Sequence, residues 1–300
     1  MKILAAIVTY NRRALLERCI DHVQAQSRPP DALLVINNSS SDDTVEMLNR
    51  KGVNYVTQPN LGSAGGWNRS IVEAISGGWD AVWLMDDDGY PAQRALELLE
   101  KASEPCRPCI SSVVLRENQR DTFVFPFPML DAHGLPVLLR SRRKVAHLED
   151  LRRIANGAFY PFAHLFNGAL LQVDAARRIG NVDTNFFLMG DEVDFFMRLR
   201  TLGPVLSHLE AHHLHPDVSQ RSLDPIKFYY YIKNTLILNR RYFNHVLTRD
   251  IMTVVAALVR TARRNSLTEA MSYVAGRRAP ILWKAVRNGR AGRVGRDFGV

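Results

Sequence analysis

Apolar and polar positions along the first hundred residues alternate between two periods. Residues 3–8 form a continuous apolar run bounded by polar neighbours, the mark of a strand buried on both faces. Over 14–26, Leu15, Leu16, Cys19, Ile20 and Val23 recur at helical spacing. Residues 32–36 read as a second strand and 43–50 as a short helix whose start is marked by Ser41, Asp42 and Asp43. A third strand over 53–57, a helix over 64–76 and a fourth strand over 81–85 follow. Pro91 predicts the start of another helix, because the first turn is where proline is tolerated best. Strand and helix in alternation imply an α/β fold with a parallel sheet covered by helices on both faces.

The regularity drops after about residue 110. Strands are expected over 110–115, 123–128 and 166–173, with a turn over 131–136. The charged segment 140–150 reads as a mobile loop. A short helix over 175–180 is ended by Gly180, and 191–202 reads as helix. From Asp224 onward the pattern is almost all helical, interrupted near Gly276 and then at Gly289, Gly292 and Gly295. The boundary falls near residue 220 and separates a domain, 1–220, from a helical region, 221–300.

Composition changes this picture in one respect. The chain is 46% hydrophobic, enough for a proper core, and carries a net charge of +9. That charge is uneven: from Lys227 to the end there are 15 Lys and Arg against 3 Asp and Glu, whereas the first 226 residues hold 24 against 27. A strongly basic tail suits an anionic partner, whether a membrane surface, a phosphate-bearing lipid or nucleic acid. No nucleic-acid reader motif accompanies it. The three cysteines, Cys19, Cys106 and Cys109, are too few for a disulfide framework and point to a reducing compartment. The single CxxC spacing at Cys106 and Cys109 lacks the second pair a structural zinc site needs. Residues 1–8 resemble a short signal peptide, but Asn11-Arg12-Arg13 follows at once without a small-residue cleavage site. The apolar run 251–259 falls far short of the roughly 20 residues of a spanning helix. No membrane-spanning segment is expected, and the expected location is cytoplasmic.

The chemistry centres on Asp86-Asp87-Asp88, which follows the strand 81–85 at its carboxyl end, where open α/β sheets bind their ligands. Three adjacent carboxylates repel one another, and a divalent cation relieves the conflict. Hard oxygen ligands suit Mg²⁺ or Mn²⁺, and a metal there could bridge two phosphates of a nucleotide. The alternating ligand spacing of an EF-hand is absent. Gly62-Ser63-Ala64-Gly65-Gly66 lacks the Gly-Lys-Ser/Thr ending of a P-loop, so it reads either as a plain glycine-rich helix start or as amides facing a sugar phosphate.

Six fragments fall in one order: Val8-Thr9-Tyr10-Asn11-Arg12, Asn37-Asn38-Ser39-Ser40-Ser41-Asp42, residues 60–68 (NLGSAGGWN), the acidic triplet, Gly190-Asp191-Glu192-Val193-Asp194 and Leu214-His215-Pro216. With them the chain resembles family 2 glycosyltransferases, and most of all the bacterial galactofuranosyl- and rhamnosyltransferase branch. The resemblance implies a GT-A, Rossmann-like catalytic domain, with a nucleotide-binding half over about 1–110, an acceptor-binding half over about 111–220, and a helical C-terminal extension. It implies inverting transfer of galactofuranose or rhamnose from a UDP- or dTDP-sugar to a glycan or polyprenyl-diphosphate-linked acceptor in cell-surface polysaccharide synthesis, assisted by Mn²⁺ or Mg²⁺. It places Thr9, Tyr10, Asn11, Arg12, Asn38, Asn60, Gly65, Asp86 and Asp87 at the nucleotide, and Asp86, Asp88 and His215 at the metal, with His213 as alternative ligand. Glu192 becomes the general base, with Asp191 as its alternative, and Trp67 and Asp194 meet the acceptor, Asp194 paired with Arg198. The chain departs from the family in having glutamate at 192, where aspartate is usual, and the pair Asn37-Asn38, where an acid is common. A non-catalytic protein of the same fold, holding a nucleotide sugar or an anionic lipid, is the competing reading. For the tail, the run Phe228–Asn234 and the apolar positions beside arginines from Ile251 and Ile281 suggest peripheral contact with the cytoplasmic leaflet; a packed helical cap or a homo-oligomer contact is the alternative.

Overall fold

The structure, a computed structural model, describes residues 1–138, 144–219 and 221–298. The first half alternates as its periodicity requires: β1 (Ile3–Thr9), α1 (Arg13–Gln24), β2 (Ala32–Asn37), α2 (Thr44–Lys51), β3 (Asn54–Thr57), α3 (Gly62–Ser76) and β4 (Ala81–Asp86). There follow β5 (Tyr90–Pro91), α4 (Ala95–Lys101), β6 (Cys109–Arg116), β7 (Gln119–Pro128), β8 (Lys144–His147), α5 (Leu148–Ile154), β9 (Phe159–Tyr160), β10 (Asn167–Gln172), α6 (Val173–Ile179), α7 (Asp191–Leu199) and β11 (Val205–His215). The C-terminal helices are α8 (Pro225–Tyr242), α9 (Val246–Arg264), α10 (Leu267–Ala275) and α11 (Ala279–Arg290).

The main sheet runs β3-β2-β1-β4-β10-β6-β11-β5. Its first four strands are parallel, but β10 lies antiparallel between β4 and β6, and β5 lies antiparallel on β11. The sheet is therefore mixed beyond β4, not parallel throughout. Alternation along β1 explains its two-sided burial. Leu4, Ala6 and Val8 join Trp67, Ile71 and Ala74 of α3 on one face, while Ile3, Ala5 and Ile7 join Leu16, Ile20 and Val23 of α1 on the other.

Two sequence expectations are corrected. Pro91 does not open a helix: it pairs with His213 in a two-residue strand, and the helix starts at Ala95. Proline has no amide to donate, and a short edge strand tolerates that. Within the segment expected to be a mobile loop, 144–150 instead forms β8 and the start of α5; residues 140–143 lie outside the described residues.

The chain divides into two compact units, 1–182 with 195–217, and 183–194 with 218 onward. The second has its own core, in which Phe228, Tyr229, Tyr230, Ile232 and Leu236 of α8 pack with Tyr273 and Ala285. Tyr229 and Tyr230, expected at a membrane interface, are fully buried there. The Tyr229 hydroxyl accepts from Asn288 and the Tyr230 hydroxyl from the Asp297 amide, at 2.8 Å each. The buried Lys233 pairs with Asp297 at 2.6 Å. Among the described residues no helix is long and apolar enough to cross a membrane.

Candidate active site

The acidic triplet sits where β4 ends. The Asp86 amide is still held by the Phe166 carbonyl at 3.0 Å, and the chain then turns. Asp87 and Asp88 are buried, and Asp86 is partly exposed. Burial drives the Asp86 carboxyl well above its usual range, and the charges of Asp87 and Asp88 push the same way. Burial also raises Asp87, against the opposing pull of Arg12 and the Thr9 hydroxyl. Carboxylate oxygens of all three lie within 4.8 Å of one another.

Their partners arrive from the end of β1, the turn after it and the end of β11. The Thr9 hydroxyl donates to Asp87 at 2.6 Å. The Arg12 guanidinium reaches both Asp87 and Asp88 at 2.9 Å. Asn11 makes this approach possible by taking positive φ (53°), a conformation asparagine tolerates, while its side-chain oxygen accepts from the Ser41 amide at 2.7 Å. His215 Nε2 lies 2.8 Å from Asp88 Oδ1. Its Nδ1 faces the Pro216 carbonyl at 2.7 Å, which calls for the proton on that nitrogen. The Nε2 lone pair then points at a carboxylate oxygen. Two bare acceptors at that distance would repel, so the contact calls for a proton or a cation between them. The three aspartates thus offer oxygen donors that could hold a hard divalent cation, and His215 stands beside one of them, Asp88.

The other histidines are accounted for differently. His208 accepts from the Glu210 amide, and His212 Nε2 lies 3.0 Å from the Leu209 carbonyl. His213 is enclosed: a Cβ on Gly89 would meet its Nε2 at 2.3 Å, and one on Gly168 its Nδ1 at 3.2 Å. Burial lowers its pKa to about 3. Both ring nitrogens lack a partner among the described residues.

The remaining nucleotide candidates line the same sheet edge. Tyr10 is exposed, whereas Asn38 is buried and accepts from Gln58 at 2.8 Å. Asn60 caps the Gly62 amide at 3.0 Å. The glycine run has a packing role, since a Cβ on Gly66 would meet Val8 at 2.4 Å, and one on Gly65 would meet Leu61 at the same distance. Trp67, expected at the acceptor, is only 2% exposed and stacks on Phe166 with centroids 4.4 Å apart. The core uses that ring, and it offers no surface for a sugar to lie on.

The acidic pair at 191–192 belongs to the second unit. The chain reaches it through strained backbone: Phe187, Met189 and Gly190 all have positive φ. Asn234 holds this segment by donating its amide to the carbonyls of Phe186, Leu188 and Met189, at 3.0, 3.0 and 2.6 Å. Asp191 is buried, and burial first, then the charge of Asp194, raises its carboxyl to about 6, against helix-start amides that favour the anion. Glu192 is half-buried and keeps solvent access. Asp194 accepts from Arg241 at 3.1 Å and Tyr242 at 2.7 Å. In the first unit, Arg198 donates to the carbonyls of Ile179, Gly180 and Asn181. Asn234, Arg241 and Tyr242 were not singled out for these roles by sequence, although Asn234 closes the tyrosine-rich run already noted.

Residues 5–148 match the family model described as Glycosyl transferase family 2. The galactofuranosyltransferase GlfT1 of Mycolicibacterium smegmatis is 34% identical over 221 residues, covering 71% of this chain and 70% of that protein. This chain belongs to glycosyltransferase family 2. GlfT1 of Mycobacterium tuberculosis H37Rv is 33% identical over 223 residues, covering 71% of this chain and 70% of that one. Among solved structures, the mannosyltransferase PcManGT from Pyrobaculum calidifontis, in complex with GDP-Man and Mn²⁺, superposes with a TM-score of 0.58 at 15% identity, covering 97% of this chain and 82% of that one. Such a likeness identifies the fold as GT-A. Family 2 membership makes the chain a transferase, and its acidic cluster lies at the end of β4.

Proposed function

We propose that this family 2 transferase moves galactofuranose, with inversion, from a UDP-sugar to a glycan or polyprenyl-diphosphate-linked acceptor at the cytoplasmic membrane face. The observation carrying it is the cluster of three aspartates with His215 against Asp88. The GlfT1 relatives favour galactofuranose over rhamnose. Asp86, Asp88 and His215 would hold Mn²⁺ or Mg²⁺, which when bound supplies positive charge against the diphosphate leaving group. Thr9, Tyr10, Asn11 and Asn38 hold the base and ribose with Asp86, and Arg12 and Asp87 keep the triplet's geometry. Glu192 takes the proton of the acceptor hydroxyl as that oxygen attacks the anomeric carbon; Asp191 is the alternative base. Asp194, fixed by Arg241 and Tyr242, positions the acceptor segment.

The test is a panel of nucleotide sugars, UDP-galactofuranose and dTDP-rhamnose foremost, with Mn²⁺ or Mg²⁺, scored for nucleoside diphosphate release. UDP release from UDP-galactofuranose is expected, reduced about a hundredfold or more in Asp88→Ala. Preference for dTDP-rhamnose moves the donor assignment. Absence of turnover with every donor favours a binding protein of this fold, and unchanged turnover in Asp88→Ala overturns the metal site.

A further inference from the structure

Helix α9 carries apolar residues on its outward face as well as its inward one. Its buried positions are Asp250, Thr253, Ala257 and Thr261, with Val254 and Leu258 packed on the core, while Leu247, Ile251, Val255 and Val259 are exposed, Leu247 at 63% and Ile251 at 55%. The inward polar groups are satisfied: Asp250 accepts from Asn239 at 3.0 Å, and Thr253 and Thr261 donate to carbonyls one turn back. The outward stripe, spaced every fourth residue, faces solvent uncovered. Leu267, Met271 and Val274 of α10 and Trp283 of α11 are exposed as well, Trp283 at 68%. Ile251 and Val255 line a cavity of about 200 Å³ with Leu236, Val254 and Val286, and the charged Asp250 and Arg290 line it too. A helix that keeps a continuous apolar stripe on its outward face is stable when a nonpolar phase lies outside.

Charge decides what that phase is. Arg263, Arg277, Arg287, Arg290 and Arg293 are exposed on these helices and their connections. From Lys227 onward 15 basic residues face only 3 acidic ones. A two-fold contact between copies of this chain would lay that basic surface against itself, which like charges oppose. An anionic bilayer surface offers both complements at once: phosphates for the arginines and acyl chains for the stripe. We infer that the exposed face of α9, with the apolar positions of α10 and Trp283, is an interfacial docking surface for an anionic membrane leaflet. The inference rests on the membrane-facing part of the proposed function and assigns it to particular side chains. The buried tyrosines of α8 take no part in it.

The experiment is flotation of the full chain with vesicles of phosphatidylcholine alone or with phosphatidylglycerol. Partition into the anionic vesicles is expected, falling with added salt, together with a blue shift of tryptophan emission. The chain has 4 tryptophans, of which Trp283 is the exposed one. Ile251→Asp with Val255→Asp is expected to weaken partition about tenfold or more while leaving the circular dichroism spectrum intact. Trp283→Ser, on a different helix, is expected to weaken it too and to abolish the blue shift. Both variants are expected to keep nucleotide-sugar turnover, which separates this result from the catalytic reading. Vesicle binding without turnover in the native chain leaves the docking surface standing and overturns only the catalysis. Equal binding by native chain and variants overturns the surface. So does a native chain that ignores the vesicles and forms a dimer that Ile251→Asp with Val255→Asp dissociates, which makes the stripe a self-association face.

Discussion

Asp191 and Glu192 are adjacent, yet their surroundings set them apart. Asp191 is buried at the start of α7 and titrates near pH 6, whereas Glu192 keeps access to solvent. A carboxyl whose folded pKa lies above its unfolded value binds its proton more tightly when folded, so stability falls as pH rises through the window between the two. From 3.8 to about 6 that amounts to at most about 3 kcal/mol, lost between roughly pH 4 and pH 6 and constant above. Asp191→Asn is therefore expected to stabilise the protein by about 1–3 kcal/mol at pH 7.5 and to make little difference at pH 4, as urea unfolding at the two pH values reports. An equal difference at both would show that Asp191 is not held protonated. Glu192→Gln is expected to lower kcat about a hundredfold or more while leaving nucleotide affinity in place, and retained turnover would pass the base to Asp191. The sequence brought both residues forward by their motif. It could not separate them, because the difference lies in burial, which depends on what packs around the helix start.

At the scale of elements, the early part of the chain was legible and the later part less so, for a physical reason. The strands β1 to β4 and the helices α1 to α3 carry their periodicity within themselves, and their observed limits stay within a few residues of the expected ones. Strand direction does not reside in local pattern, so the antiparallel insertion of β10 between β4 and β6 had no signature in residues 167–172. The tyrosine-rich start of α8 misled because an aromatic run at a membrane interface and one in a helical core have the same composition. Its true use appears at its end, where Asn234 ties down the strained segment 186–190. A Cβ on Gly190, at φ 98°, would meet Asn234 at 3.0 Å and Phe186 at 3.1 Å, so this packing leaves no slack. Asn234→Ala is expected to cost about 2–3 kcal/mol and to lower kcat more than it changes the KM for the nucleotide sugar. If kcat and KM stay at native values while stability drops, Asn234 serves folding alone.

For the molecule as a whole, the acidic cluster ties stability to pH and, on the proposed reading, to metal. Burial and mutual repulsion raise Asp86, and burial raises Asp87, so the metal-free protein loses stability as these groups ionise with rising pH. A cation binding the carboxylates must displace those protons, so the rise in melting temperature produced by Mn²⁺ is expected to grow from pH 5.5 to pH 7.5. At a hundredfold excess over Kd it corresponds to about 2.7 kcal/mol, and chelation with EDTA should reverse it. An upshift that shrinks with pH, or persists in Asp88→Ala, would place the metal elsewhere. The same cluster also has a history in the synthesis of the chain. Arg12 leaves the ribosome ahead of Asp87 and Asp88, whereas His215 follows them by roughly ten seconds at ordinary elongation rates. The guanidinium is thus the first companion these carboxylates find and the imidazole the last. If the proposed metal site is right, its histidine ligand is the last part of it to be synthesised, so competence for metal would arrive late in the protein's birth.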